Sequence, residues 1–119
     1  MKRILVVDDE TTIRTAVTIV LNDKGFETLE ADNTASAYDL AVAECPDLII
    51  SDVMMDNGNG FLLTELLRNE ERTAMIPIIL MTGAAQGAGA WDTDTDIQYL
   101  QKPFPADVLL SAVEQATKV

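Results

Sequence analysis

Short apolar runs alternate along this chain with longer segments in which apolar residues are spaced as on one face of a helix. Five runs have the length of strands, and we predict strands at 3–7, 26–31, 47–51, 78–81 and 97–101. The first, third and fourth runs are rich in consecutive Val, Ile and Leu, which is typical of strands covered on both faces of a sheet. The second run is partly polar, as an edge strand is.

The segments between these strands have the spacing of amphipathic helices. In the first, Thr11 or Thr12 is a candidate N-terminal cap, and Gly25 is a C-terminal cap because glycine tolerates left-handed backbone. Asn33 or Thr34 opens the second helix. The residues predicted to face inward are Ile13, Ala16, Val17, Val20 and Leu21 in the first helix, Ala37, Leu40 and Ala41 in the second, Leu63, Leu66 and Leu67 in the third, and Val108, Leu109, Ala112, Val113 and Ala116 in a last helix after Pro105.

The stretch at 84–95 breaks this regularity. Its alanines favour a helix, but Gly87 and Gly89 each cost about 1 kcal/mol relative to alanine in a helix, and Trp91 is the only large apolar residue there. We predict a short or fraying fourth helix, or a mobile loop. The aspartates that follow do not form an EF-hand calcium loop, because Ile97 and Pro103 stand where that motif needs Gly and Glu.

Strands that alternate with helices predict an α/β fold with a parallel sheet. We expect a flavodoxin-like, doubly wound, five-stranded sheet in the strand order 2-1-3-4-5. The chain has 119 residues, so we expect one domain over residues 1–119.

Composition narrows the possible functions. The chain has 8 basic and 20 acidic residues, no histidine and a net charge of −12. This argues against nucleic-acid binding, which needs clusters of Lys and Arg, and it excludes histidine-based catalysis or metal ligation by this chain. No apolar stretch approaches a membrane span, so a cytoplasmic setting is expected. The single cysteine, Cys45, is expected to serve in packing.

Acidic residues follow two strands that should be neighbours in the sheet. Asp8 and Asp9 come after the first strand, and Asp52 comes after the third. In an open α/β sheet, ligands bind beyond the carboxyl ends of the strands, where these carboxylates would meet. Like charges so close together are costly unless a cation neutralises them, and ligands that are all oxygen favour Mg²⁺ or Mn²⁺ over zinc.

Two further polar groups follow the last two strands. Thr82 ends the fourth strand, and Lys102 follows the fifth and is the only basic residue between Arg72 and Lys118. Lys102 could simply form a salt bridge with a carboxylate. With a metal ion and the Thr82 hydroxyl, however, it would make a receptor for a phosphoryl group carried on Asp52.

The sequence resembles receiver domains of two-component response regulators, the CheY-like family, over essentially its whole length. The resemblance is carried, in the family's order, by the segments ILVVDDE (4–10), PDLIISDVMMDNGNG (46–60), PIILMTG (77–83) and YLQKPF (99–104). It implies a signalling domain that takes a phosphoryl group from a sensor histidine kinase or a histidine phosphotransfer protein and acts on a downstream protein target. Such a domain catalyses its own phosphorylation and dephosphorylation but turns over no independent substrate.

The resemblance also implies roles for individual residues. Asp52 would be the phosphoacceptor. The metal, Mg²⁺ with Mn²⁺ as a substitute, would be held by Asp8, Asp9, Asp52 and the backbone carbonyl of Met54. Thr82 would be the switch hydroxyl, and Tyr99 the aromatic residue that moves inward with it. The resemblance further implies that Lys102 contacts the phosphate and precedes a cis bond to Pro103, and that Gly60 is the glycine after the acceptor loop.

One residue of the acceptor loop departs from the family pattern, because Asp56 stands where most relatives have proline. Two other functions stay open from the residues alone. One is a phosphohydrolase with an aspartate nucleophile, and the other is an interaction module that carries no phosphoryl group. The sequence also leaves open whether the domain acts alone or precedes an output domain.

Overall fold

Five strands form one parallel sheet in the computed structural model, which describes residues 2–55, 58–83 and 97–117. Along the sheet they lie in the order β2-β1-β3-β4-β5, and each neighbouring pair is parallel. This confirms the predicted order 2-1-3-4-5. The strands are β1 at Arg3–Val7, β2 at Glu27–Ala31, β3 at Leu48–Asp52, β4 at Ile78–Thr82 and β5 at Ile97–Gln101.

Four helices are present in the described residues, and most of their ends follow the predicted signals. They are α1 at Thr11–Asp23, α2 at Thr34–Glu44, α3 at Gly60–Arg68 and α4 at Ala106–Thr117. The Asn33 side chain caps α2 by accepting the Ser36 N–H at 2.8 Å, and Gly25 follows α1 with φ of +91°. The expected threonine cap of α1 is wrong. Glu10 is the extended capping residue and makes no side-chain cap, so Thr11 already lies inside the helix.

The helices cover both faces of the sheet, because alternate strand residues point to opposite sides. Ile4 and Val6 pack in one hydrophobic cluster with residues of α1 and α4. Leu5 and Val7 pack in a second cluster with residues of α2 and α3. Strands buried on both faces explain the uninterrupted apolar runs of the sequence.

Several residues predicted to be inside lie at the surface. Leu66 of α3 is 39% exposed and Val108 of α4 is 42% exposed, because the buried arc of each helix is narrower than its apolar stripe. Ala16 of α1 is exposed as well. The expected packing role of Cys45 is also wrong. This residue ends α2 in the left-handed conformation, with φ of 45°, and it is exposed.

Beyond Asp52 the chain forms a short antiparallel ladder in which Met54–Met55 pairs with Gly58–Asn59. Asp56 and the stretch 84–95, for which a short helix or loop was predicted, lie outside the described residues. Within the described ranges, no helix is long and apolar enough to cross a membrane.

Candidate functional site

The carboxyl ends of β1 and β3 bring three acidic side chains together. The two strands are hydrogen-bonded neighbours with Val7 opposite Ser51, so Asp8 and Asp52 emerge side by side. One carboxylate oxygen from each of Asp8, Asp9 and Asp52 lies within 4.8 Å of the others. Asp8 is fully buried and Asp52 nearly so. Adjacent strands therefore place the carboxylates where the sequence predicted them.

Lys102 supplies the cation of this cluster. Its Nζ lies 3.1 Å from Asp52 Oδ1 and 3.4 Å from Asp8 Oδ2, so one ammonium group bridges two carboxylates. The Lys102 N–H also donates to the Thr82 carbonyl at 2.7 Å, which ties the end of β5 to the end of β4. The bond from Lys102 to Pro103 is cis, as the resemblance implied.

Burial and charge shift the pKa values of this ion pair. Burial raises the pKa of the Asp52 carboxyl, and the negative charge of Asp8 acts in the same direction, while the hydrogen bond from Lys102 opposes both. Burial by itself would lower the pKa of the Lys102 ammonium, but its contacts with Asp52 and Asp8 outweigh burial and raise it. Lys102 is thus a cation at neutral pH, and further positive charge beside Asp52 would lower the pKa of its carboxyl.

Thr82 places a hydroxyl at the end of β4, one strand away from Asp52. The side chain is 1% exposed, and Oγ1 has no hydrogen-bond partner among the described residues. Buried hydroxyls are normally paired, and an unpaired one costs free energy. An anion bound at Asp52 would give this hydroxyl a hydrogen-bond partner.

Gly60 explains how the chain after Asp52 turns back against the site. A Cβ added there would lie 2.7 Å from the backbone oxygen of Asp52 and 2.9 Å from Leu80 Cδ2. The Gly60 N–H also donates to the Val53 carbonyl at 2.9 Å. The close approach of two backbone segments therefore requires glycine at this position.

The remaining residues named from the sequence lie around this cluster. The Met54 N–H donates to the Asp52 carboxylate, and the Met54 side chain is 62% exposed. Tyr99 is half-buried on β5 and packs against the cluster that α2 and α3 share. The metal contact of the Met54 carbonyl and the movement of Tyr99 stay predictions.

Sequence reasoning missed Arg14 of α1, which contacts the acidic loop, the segment Asp8–Glu10 after β1. Its Nη1 donates to the Asp8 carbonyl at 2.7 Å, and its Nε donates to Glu30 Oε1 at 2.9 Å. A signal was present, because Arg14 is the fourth residue of its helix. A positive charge is unfavourable near the N-terminus of a helix, where the helix dipole is also positive.

The donor set of this site fits a hard divalent cation. Its three clustered carboxylates offer only oxygen, which suits Mg²⁺, and the chain has no histidine whose imidazole would favour zinc. The Thr82 hydroxyl at the end of the neighbouring strand has no partner among the described residues and can donate to a phosphoryl oxygen. The residues present therefore match both a Mg²⁺ ion and a phosphoryl group.

Comparison with known proteins places this arrangement in a described family. The sequence model of the response regulator receiver domain matches residues 4–114. The chain is 36% identical over 116 residues to the DNA-binding dual master transcriptional regulator RpaA of Synechocystis, covering 95% of this chain and 48% of RpaA. It is 34% identical over 115 residues to protein PilH of Pseudomonas aeruginosa, covering 95% of each.

Solved structures agree with the sequence comparison. The chemotaxis response regulator CheY4 of Vibrio cholerae superposes with a TM-score of 0.87 at 28% identity, over 98% of each chain. The chain spans about half the length of several curated relatives, RpaA among them, and nearly all of PilH.

Proposed function

Because the chain belongs to the response regulator receiver domain family, we propose that Asp52 is its phosphoacceptor in two-component phosphorelay signalling and that residues 1–119 form one receiver domain. The observation that carries the proposal is the setting of the Asp52 carboxylate. It ends a buried strand, lies 3.1 Å from an ammonium group and shares a cluster with Asp8 and Asp9. Receiver domains of this family are signalling phosphoacceptors rather than enzymes that turn over a substrate.

Phosphoryl transfer at this site would use the Asp52 carboxylate as the nucleophile. An oxygen of Asp52 attacks the phosphorus of a phosphohistidine, the new O–P bond forms as the N–P bond breaks, and the imidazole nitrogen keeps the electron pair. Lys102 Nζ, already 3.1 Å from Asp52, is placed to contact a phosphoryl oxygen. The Thr82 hydroxyl, which has no partner within the described ranges, would donate to another.

A divalent cation completes the charge balance of this site. Asp8, Asp9 and Asp52, with the backbone carbonyl of Met54, would hold Mg²⁺, and Mn²⁺ should substitute because it also prefers oxygen ligands. When bound, the ion supplies the positive charge that stabilises the transferring phosphoryl oxygens. The same residues would catalyse loss of the phosphoryl group to water.

Phosphorylation would change the conformation of side chains on β4 and β5. Thr82 and Tyr99 lie on these neighbouring strands, with Leu80 paired to Tyr99 and Thr82 paired to Gln101. A phosphoryl group on Asp52 would draw the Thr82 hydroxyl toward it, and the half-buried Tyr99 ring would move inward. The outer surface of β5 and α4 would then present a different shape to a downstream protein.

The phosphodonor is proposed to be a sensor histidine kinase or a histidine phosphotransfer protein that docks beside Lys102. An apolar groove of about 270 Å³ opens there, lined by Thr12, Ile13, Ala16, Val17, Lys102, Pro103 and Phe104. A partner helix in this groove would hold its histidine near Asp52. The net charge of −12 makes a nucleic-acid or anionic membrane partner of this domain unfavourable, and a cytoplasmic location stays a prediction.

The test is phosphorylation by a small phosphodonor, followed by intact mass. With Mg²⁺, the protein should gain one labile phosphoryl group, and Asp52→Asn should gain none. Asp32→Asn is the matched control, because Asp32 is an exposed aspartate that follows β2, at the same carboxyl ends of the strands as Asp52. It should be phosphorylated like the wild-type protein.

The other outcomes identify the alternatives. Absence of any mass gain, with or without metal, would favour an interaction module that carries no phosphoryl group. Turnover of many donor equivalents by each protein molecule would indicate a phosphohydrolase. A mass gain that persists in Asp52→Asn would place the acceptor at another residue.

A further inference from the structure

Arg14 is a largely buried cation that contacts the acidic loop rather than the proposed phosphoacceptor. Its side chain is only 16% exposed and reaches two acceptors at once, the Asp8 carbonyl at 2.7 Å and Glu30 Oε1 at 2.9 Å. These acceptors belong to different parts of the fold, since Asp8 follows β1 and Glu30 lies on the edge strand β2. The guanidinium therefore links the edge of the sheet to the loop that carries two carboxylates of the site.

The contact between Arg14 and the Asp8 carbonyl also orients Asp9. That carbonyl and the Asp9 N–H belong to one planar peptide group, so a bond to the oxygen fixes the plane from which the Asp9 side chain departs. The rest of Asp8 is held by other bonds. Its N–H donates to the Ala31 carbonyl at 3.1 Å, and its Oδ1 accepts the Glu10 N–H at 2.9 Å.

A fixed Asp8–Asp9 peptide opposes the electrostatic repulsion among the three carboxylates. Without a divalent cation, the Asp8, Asp9 and Asp52 carboxylates lie within 4.8 Å and repel one another, which would favour rotation of the more exposed Asp9 away from the site. A hydrogen bond from a charged donor is about twice as strong as a neutral one. Arg14 is thus suited to keep the loop in the conformation that binds metal.

We propose that Arg14 is a positioning residue, oriented by Glu30, that fixes the Asp8–Asp9 peptide so that both carboxylates face the metal position. The inference rests on the proposed function of the site and extends it to a residue outside the phosphoryl-transfer machinery. The planar guanidinium of Arg14 donates to two acceptors in different directions, and a lysine ammonium on a flexible chain does not reproduce this geometry.

A substitution that keeps the charge of Arg14 tests whether this residue acts by positioning the peptide or only through its charge. Calorimetric titration of Mg²⁺ and Mn²⁺ into metal-free Arg14→Lys should show affinity about tenfold weaker than wild type, at the lower end of the effect typical of residues that orient metal ligands. Arg14→Gln should also bind metal more weakly. A role through charge alone makes the opposite prediction, because removing a positive charge deepens the negative potential at the carboxylates. Unchanged affinity in Arg14→Lys, or tighter binding in Arg14→Gln, would overturn the proposal.

Arg3 offers a matched control at the opposite end of β1. It also pairs with a glutamate and a carbonyl, donating to Glu44 Oε1 at 2.7 Å and to the Glu44 carbonyl at 2.6 Å. Arg3→Lys should keep wild-type metal affinity. An equal loss of affinity in Arg3→Lys and Arg14→Lys would show a general effect of stability and contradict a specific role for Arg14.

Two further measurements keep the test decisive. Glu30→Gln changes an exposed residue and so should fold even if Arg14 variants do not, and it should weaken metal binding in the same direction by less. Amide exchange at Asp9 and Glu10 in metal-free Arg14→Lys should be faster than in wild type. Wild-type affinity in Glu30→Gln together with unchanged exchange would refute the proposal.

Failure of the proposed function is distinguishable from failure of this inference. Wild-type protein that binds metal but accepts no phosphoryl group would overturn the function and leave the comparison of Arg14 variants decisive. Wild-type protein that binds neither Mg²⁺ nor Mn²⁺ would overturn the positioning role itself.

Discussion

At the scale of single residues, the Thr82 hydroxyl combines an unfavourable position with a proposed function. It is buried without a hydrogen-bond partner in the described part of the chain, at the end of the strand next to Asp52. A buried polar group left unpaired destabilises the folded protein, whereas an apolar group of the same shape does not. The resting state would then be less stable than it could be, and the hydroxyl would gain its partner when Asp52 carries a phosphoryl group.

Thr82→Val is therefore expected to make the protein more stable but slower to be phosphorylated. The free energy of unfolding should rise by about 1 kcal/mol, because valine keeps the β-branched shape and removes the unpaired hydroxyl. Phosphorylation at Asp52 should become slower, because a donor to the phosphoryl group is lost. Urea denaturation and the rate of phosphorylation by a small donor measure the two effects.

Thr73→Val is the control for this prediction. Thr73 is fully buried as well, but its hydroxyl donates to the Leu67 carbonyl at 2.7 Å. The same substitution should lower stability by about 1 kcal/mol there and leave the phosphorylation rate unchanged. Equal destabilisation of both variants would show that Thr82 has a partner in solution.

At the scale of the secondary-structure elements, α1 has two separate roles. Its inner face packs on the sheet through Val17 and Leu21, while Ala16 lies exposed and lines the groove beside Lys102. An apolar groove next to the proposed acceptor is where a phosphodonor protein would dock. A small donor has no need of that surface.

Ala16→Glu should therefore slow phosphotransfer from a partner protein but not from a small phosphodonor. The added carboxylate would have to be desolvated against a docked helix, and it would leave the fold intact because Ala16 is exposed. The two transfer rates, compared for the same preparation, measure the effect. Leu62→Glu is the control, since Leu62 is 46% exposed on α3 at the other face of the sheet. Equal slowing by both substitutions would place the docking surface elsewhere.

The secondary-structure elements also show how much of the fold could be predicted from the sequence. Strand bounds were predicted to within one residue, because apolar runs buried on both faces leave a clear pattern, and the order of strands followed from the fold class. The exposure of Leu66 and Val108 was not foreseen, because helical spacing gives the direction of an apolar face but not the width that the neighbouring elements cover. Arg14 was missed because its unfavourable position near the start of α1 indicates that it has a partner but not which one, and its bond to the Asp8 carbonyl depends on the orientation of one peptide group.

At the scale of the whole molecule, charge is the dominant feature. The chain carries 20 acidic and 8 basic residues, and three of the acids are gathered at one end of the sheet, where Lys102 bridges two of them, Asp8 and Asp52. Like charges in a compact protein destabilise the folded state through repulsion, and dissolved salt screens the exposed ones. Monovalent salt should stabilise the protein in a general way, while a divalent cation at the cluster should act on the folded state alone.

Mg²⁺ is accordingly expected to raise the melting temperature beyond the effect of ionic strength. A ligand that binds only the folded state adds about 2.7 kcal/mol of stability at a concentration of 100 times its Kd. Thermal unfolding should be compared in MgCl₂ and in NaCl of equal ionic strength, with a chelator to reverse the shift. Asp9→Asn should lose most of the Mg²⁺-specific shift, because one carboxylate of the cluster is removed, whereas Asp32→Asn should keep it. A shift of the same size in NaCl, or one that survives in Asp9→Asn, would mean that Mg²⁺ acts by screening rather than by binding between β1 and β3.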